Sequence, residues 1–217
     1  MMSNIHLNKK KNISYAVAVI LVGVLFCMFF FYFDKKIIQY FSSLRHSTSR
    51  IYVFLEFIDP VINVTSHGTS LLLLAIGLFA AGKFRKSNRY EPGSLLIKGF
   101  IFSGITAQIL KHLAGRARPR VTFETLFSGP SIGDSYHSFP SGHTAVAFCF
   151  AYILAKYLPR YRIYFYLLAS IMGFERIEEL KHFPSDVVAG AVIGIAVGML
   201  LSNKIKSRNE ISAESSL

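Results

Sequence analysis

Charge is scarce in this chain. Of its 217 residues only 17% are charged, whereas an ordinary soluble domain carries roughly a quarter, and 52% are hydrophobic, with a mean hydropathy of +0.42. These values exclude a conventional soluble domain. Acidic residues are scarcer still: 12 Asp and Glu stand against 24 Lys and Arg, a formal net charge of +12. Such a balance points to nucleic acid when the basic residues form one patch or stripe. Here they gather in short segments between apolar runs, the arrangement of a polytopic membrane protein. The expected partner is therefore the bilayer and not nucleic acid. Cysteine is nearly missing as well. Cys27 and Cys149 both fall inside apolar runs and read as small buried hydrophobes, which excludes a disulfide framework and a cysteine metal site.

What the chain does have is long apolar runs, and a bilayer span needs about 20 such residues. The first run, about Ser14 to Phe33, follows Lys9-Lys10-Lys11. It is too long for a cleavable signal peptide, and it ends in bulky aromatics, Phe29-Phe30-Phe31-Tyr32-Phe33, before Asp34; a retained span is expected. From Asp34 to Asp59, Ile37, Ile38, Phe41 and Leu44 recur at helical spacing beside Lys35, Lys36 and Arg45, so one or two amphipathic helices are expected on the membrane surface or against the bundle. Further spans are expected at about Val61 to Phe84, Ser94 to Leu113, Ser141 to Leu158, Tyr161 to Phe174 and Asp186 to Leu201, with a loose polar tail from Asn203 to Leu217. The fold class is all-α: a polytopic membrane helix bundle of about six transmembrane helices plus an N-terminal amphipathic segment, in a single integral membrane domain over residues 1–217.

Orientation follows from lysine and arginine in the short loops. The N-terminus, the loop around Arg85, the Arg160/Arg162 turn and the Lys204–Arg208 tail are basic and share one face, expected to be the cytoplasm. Both termini then lie inside, in a multi-pass protein of a bacterial cytoplasmic (inner) membrane. Residues 115–140 and 175–185 lie outside, towards the periplasm. Arg116, Arg118 and Arg120 violate the bias on that outer face, so another role is expected of them.

Three clusters on the outer face carry chemistry. In Phe139-Pro140-Ser141-Gly142-His143-Thr144 a proline and two small residues open an apolar run. A helix start of this kind is an anion site, with N–H groups and the positive dipole end facing the ligand; a capped helix with an incidental histidine is the plainer alternative. Lys111 and Arg118 lie seven residues apart at the end of the third span, nearly two helical turns, so both cations can point the same way. The alternative is a lysine reaching to the interface beside headgroup-binding arginines. In the third cluster His182 and Asp186 are four apart. An aspartate accepting from one imidazole nitrogen would fix the tautomer and free the other to attack, while a helix cap beside a histidine is the plainer reading.

Together, Lys111 with Arg118-Pro119, then Pro140-Ser141-Gly142-His143, then Arg176, His182 and Asp186 resemble the three-part signature of the type 2 phosphatidic acid phosphatase (PAP2) superfamily, in its membrane lipid phosphatase branch. The resemblance covers about Ser94 to Leu201. It implies His182 as a nucleophile forming a phosphohistidine, Asp186 as its orienting partner and His143 as general acid and later base. It also implies Lys111, Arg118, Ser141, Gly142 and Arg176 as the phosphate cradle, with no metal and no cofactor. The substrate implied is a phosphorylated membrane lipid: undecaprenyl diphosphate, phosphatidylglycerol phosphate, phosphatidic acid or a lipid A phosphate. One departure is Glu175, where the family usually has a small residue, followed by Glu178 and Glu179. These carboxylates are expected on a solvated loop face, or paired with Arg116, Arg120 or Lys181, or meeting a positive group on the substrate.

Other classes fit less well. An anion channel or transporter needs a continuous polar path, and the apolar runs hold few internal charges. A metal hydrolase using His143, His182 and Asp186 would place a divalent cation among arginines and a lysine. A lipid phosphotransferase with the same site remains open.

Overall fold

The computed structural model describes residues 21, 23–24, 27–45, 53, 57, 68–84 and 90–214. The expected first span therefore lies largely outside the described residues, as does most of 46–59. The described residues are helical apart from loops and one isolated bridge between Arg116 and Phe127. A π-helical turn, Phe29–Phe33, leads into α1 (Asp34–Arg45). Then come α2 (Gly68–Phe84), α3 (Tyr90–Ala114), α4 (Gly142–Tyr157), α5 (Arg162–Glu178) and α6 (Pro184–Glu214).

Pattern explains the elements. In α1 the buried residues Asp34, Ile38 and Phe41 recur at helical spacing on one face, and the Phe41 ring meets Phe174 of α5 edge-on at 5.5 Å. By contrast α4 is buried nearly all round, through Thr144, Ala145, Val146, Ala147, Cys149, Phe150, Ala151 and Ile153. A helix without a polar face belongs at the centre of a bundle, and α4 packs against α3, α5 and α6. Two helices, Pro92–Ala114 and Pro184–Asn203, are long and apolar enough to cross a membrane, and Gly68–Lys83 is a shorter apolar helix.

The tightest seam is α4 against α6. A Cβ at Gly194 would fall on the carbonyl oxygen of Ala145, and one at Gly190 would come within 2.5 Å of the Ser141 carbonyl oxygen; small residues let the two backbones touch. The tail expected from Asn203 begins as a continuation of the last helix. Residues 203–214 contain neither glycine nor proline, and α6 continues through them to Glu214. Likewise α5 runs past the expected Phe174 to Glu178, carrying Arg176 on its last turn. In consequence the N-terminal ends of α2, α4 and α6 meet the C-terminal ends of α3 and α5 at one end of the bundle. The chemistry-bearing residues lie there.

Candidate active site

A cavity of about 510 Å³ opens at that end, and Lys111, Arg118, Gly142, His143, Arg176 and His182 all line it. Three segments far apart in sequence thus share one wall. Ser141 and Asp186 do not line the cavity but stand behind it, both fully buried.

Each residue is held by local structure. Lys111, on the last turn of α3, donates to the carbonyl of His137 at 2.6 Å. The chain then turns at Gly115, whose φ of +56° is in the left-handed region and where a Cβ would collide with the Gly129 carbonyl. Arg118 donates from Nη2 to Asp134 Oδ1 at 2.8 Å and from Nε to the Asp134 carbonyl at 3.0 Å. Asp134 also accepts from Arg120 at 3.1 Å. Ser141 caps α4, accepting from the Thr144 hydroxyl at 2.8 Å, and its own N–H donates to the Asp186 carbonyl at 3.0 Å. This N–H was expected to face an anion; instead it ties α4 to α6. Gly142 and His143 stay in the cavity wall at the positive end of the α4 dipole.

His182 sits in the loop before α6, 3% exposed. Its Nδ1 lies 2.6 Å from the carbonyl of Ser138. A carbonyl only accepts, so the proton is on Nδ1 and Nε2 carries the lone pair. Asp186, expected as the direct partner, is 3.8 Å from Nδ1. Its Oδ2 accepts instead from the Ser138 hydroxyl at 2.6 Å and the Phe183 N–H at 2.8 Å, so it holds the loop that presents the histidine. Burial, helped by the Lys111 and Arg118 charges and opposed by Asp186, lowers the His182 pKa from 6.5 to about 4. The ring is therefore neutral at neutral pH.

Behind Asp186 lies a buried ionic network absent from the sequence reading. Arg116 is fully buried and donates to Asp186 Oδ1, to Ser185 Oγ at 2.7 Å and to Asp34 Oδ2 at 2.7 Å. Asp34 in turn accepts from the Ser185 N–H at 2.9 Å and from its hydroxyl. The guanidinium carbon lies 5.1, 5.2 and 4.2 Å from the ring centres of Phe30, Phe127 and Phe183, each within cation–π range. Burial pushes the Asp34 carboxyl above its usual range, against the pull of Ser185 and Arg116.

The acidic residues near Arg176 also correct an expectation. They do not form a solvated face: Glu175 and Glu178 are 3% and 6% exposed. Glu175 binds Arg176 through both oxygens, one of them 2.9 Å from Nε, and Glu179 lies 3.1 Å from Nη2. Glu179 also pairs with Lys181, as the sequence allowed, at 2.8 Å, and Glu178 reaches Arg45 of α1 at 3.6 Å. A buried guanidinium needs countercharge, and the preceding residue and the next turn supply it.

A sequence model of the PAP2 superfamily matches residues 93–210, which contain every one of these cavity-lining cations and histidines. The chain belongs to the PAP2 superfamily. Among PAP2 relatives it is similar to the lipid A 1-phosphatase of Rhizobium etli, 38% identical over 108 residues, 47% of this chain and 45% of that protein. It is also similar to phosphatidylglycerophosphatase B of Bacillus subtilis, 29% identical over 144 residues, covering 61% and 67%. The match thus spans less than half the length of the rhizobial relative. Among solved structures, Aquifex aeolicus LpxE superimposes with a TM-score of 0.57 at 26% identity, covering 76% of this chain and 93% of that one. The phosphatidylglycerolphosphate phosphatase of Bacillus subtilis gives 0.64 at 22% identity, covering 87% and 96%, a likeness of fold.

Sequence reasoning gave no site role to Asp34, Ser138 or Asp134, and none to Arg116 beyond that of a misplaced arginine. A signal existed for two of them: Asp34 closes an aromatic run, and Arg116 is an arginine on the wrong face. Nothing in the chain pairs them across the 82 residues that separate them.

Proposed function

We propose that this chain is a metal-independent membrane phosphatase that releases phosphate from a phosphorylated lipid through a phosphohistidine. One observation carries the reading. A neutral histidine with its proton placed on Nδ1 shares a cavity with a second histidine, a lysine and two arginines. In the first step His182 Nε2 attacks phosphorus. The N–P bond forms, the P–O bond to the lipid breaks, and His143 gives its proton to the departing oxygen. Lys111, Arg118, Arg176 and the N-terminus of α4 stabilise charge on the phosphoryl oxygens as it develops. In the second step His143 takes a proton from water, the oxygen attacks phosphorus, the N–P bond breaks and phosphate leaves.

These cations supply the charge stabilisation that a metal gives in other phosphatases, so turnover should survive chelator. The bundle is read as about six spans, with both termini in the cytoplasm and the cavity outside; a reporter fused after Leu217 that is active only in the periplasm would reverse the orientation. Among the candidate lipids, a lipid A 1-phosphate leads, because the Rhizobium etli lipid A 1-phosphatase is 38% identical over its matched region against 29% for the phosphatidylglycerophosphatase. The test is purified protein against lipid A, phosphatidylglycerol phosphate, phosphatidic acid and undecaprenyl diphosphate, with inorganic phosphate as readout. Release from none of them refutes the reading. A labelled donor whose phosphate appears on a second lipid would identify a phosphotransferase.

A further inference from the structure

Next to the phosphate cavity lies a second hollow of about 800 Å³ with a nearly all-apolar wall. It runs between α2, α4 and α5, lined by Leu71, Leu74, Ala147, Ala151, Phe165 and Ala169 among others. The two hollows adjoin at Leu71. Leu71 lines both, and the adjacent residues Val146 and Ala147 line one each. The floor consists of small side chains: Ala147, Ala151 and Ala169 are 3%, 3% and 2% exposed, and larger residues there would close the seam between α4 and α5. The hollow also has a direction. On α4 the walls run from Gly142 in the phosphate cavity to Leu154 at the far end, about 18 Å at 1.5 Å per residue. Half of a hydrocarbon core is about 15 Å. The two hollows together thus match the depth of one leaflet, the apolar one taking Ala147 to Leu154, about 10 Å of α4.

We propose that this groove holds one fatty acyl chain of the lipid whose phosphate occupies the cavity. This rests on the phosphatase reading. The bilayer is as apolar as the groove, so the chain gains little by transfer. What the groove supplies is orientation: a seated chain fixes the headgroup against His182, and misplacement of a reacting group by 1 Å can cost on the order of a hundredfold. The enzyme therefore favours phosphate esters with a long acyl chain close to the phosphate.

Ala151→Phe and Ala169→Phe fill the groove from two different helices. With purified protein in detergent, phosphate release is measured from palmitoyl lysophosphatidate and from its acetyl analogue. The ratio of the two kcat/KM values should fall about tenfold in both variants and hold at the parent value in Ile105→Phe, on the exposed flank of α3. An unchanged ratio in both groove variants overturns the proposal. A second measurement needs no turnover: a palmitoyl lysophosphatidate with a diazirine in its chain should crosslink to the Ala147–Leu154 stretch of the unmodified protein, and phosphate-free monopalmitoyl glycerol should do so far less. Equal labelling by both means that the groove holds bulk lipid only, which also overturns it. If no ester releases phosphate, the phosphatase reading fails and the labelling still decides the groove.

Discussion

Replacing Arg116 with methionine keeps most of the side-chain volume and removes one charge from the centre of the ionic network. Asp34 and Asp186, both fully buried, then lose their shared cation, and Ser185 loses its donor. Removing one partner of a buried ion pair costs about 3–5 kcal/mol, because the other charge stays buried without compensation. The three aromatic rings around the guanidinium lose their cation as well. For a chain of this length each kcal/mol moves the unfolding midpoint by about 2–4 °C, so Arg116→Met should lower it by roughly 6–20 °C. Cys149 is buried and is a built-in reporter. In a Cys27→Ser background, thermal unfolding in detergent can be followed by labelling of Cys149. Adding Asp34→Asn to Arg116→Met should recover part of the loss, since it removes one of the stranded charges. A midpoint within about 2 °C of the parent, which corresponds to less than about 1 kcal/mol, would refute the reasoning.

Other predictions address the packing, the acidic cluster and pH. Gly194→Ala places a methyl on the Ala145 carbonyl and should lower the unfolding midpoint by the equivalent of about 1–3 kcal/mol. Gly77→Ala on α2, where a Cβ meets nothing within 4 Å, should not. Glu175→Gln removes one countercharge from Arg176 and should tighten product inhibition by inorganic phosphate several-fold; unchanged inhibition would mean that Arg176 does not meet phosphate. Because the His182 pKa falls from 6.5 to about 4, phosphoenzyme formation should persist down to about pH 4 and be lost below it, as Nε2 is protonated. Stability should decline as pH falls from about 6.5 to about 4, where the unfolded chain binds a proton that the fold refuses. A His182-dependent acid limb near 6.5 would show that the ring is not held neutral by burial.

The helices and the convergence of Lys111, Arg118, His143, Arg176 and His182 were legible because each rests on a local pattern: an apolar run, a proline-led helix start, a cation on a final turn. The pairings were not. The sequence places His182 and Asp186 at helical spacing, yet His182 lies before α6 begins, and the Ser138 carbonyl reaches Nδ1 first. The acidic residues after Phe174 suggested a wet loop, because isolated carboxylates belong in water. The prolongation of α5 carried Arg176 inward, and Glu175 and Glu179 followed it. Arg116 and Asp34 meet only because α1 folds back onto the start of α6, a tertiary fact with no local trace.

The most direct test of the central claim separates the two histidines. With an activated phosphate ester, whose leaving group needs little protonation, labelled His143→Ala should accumulate an acid-labile, base-stable phosphoprotein. Its turnover should be lower by about 10²–10⁴-fold, the usual contribution of a general acid–base group. His182→Ala should form no phosphoprotein, because the attacking nitrogen is gone. Label on His182→Ala and none on His143→Ala would exchange the two roles, and label on neither variant or on the parent would contradict a covalent histidine mechanism.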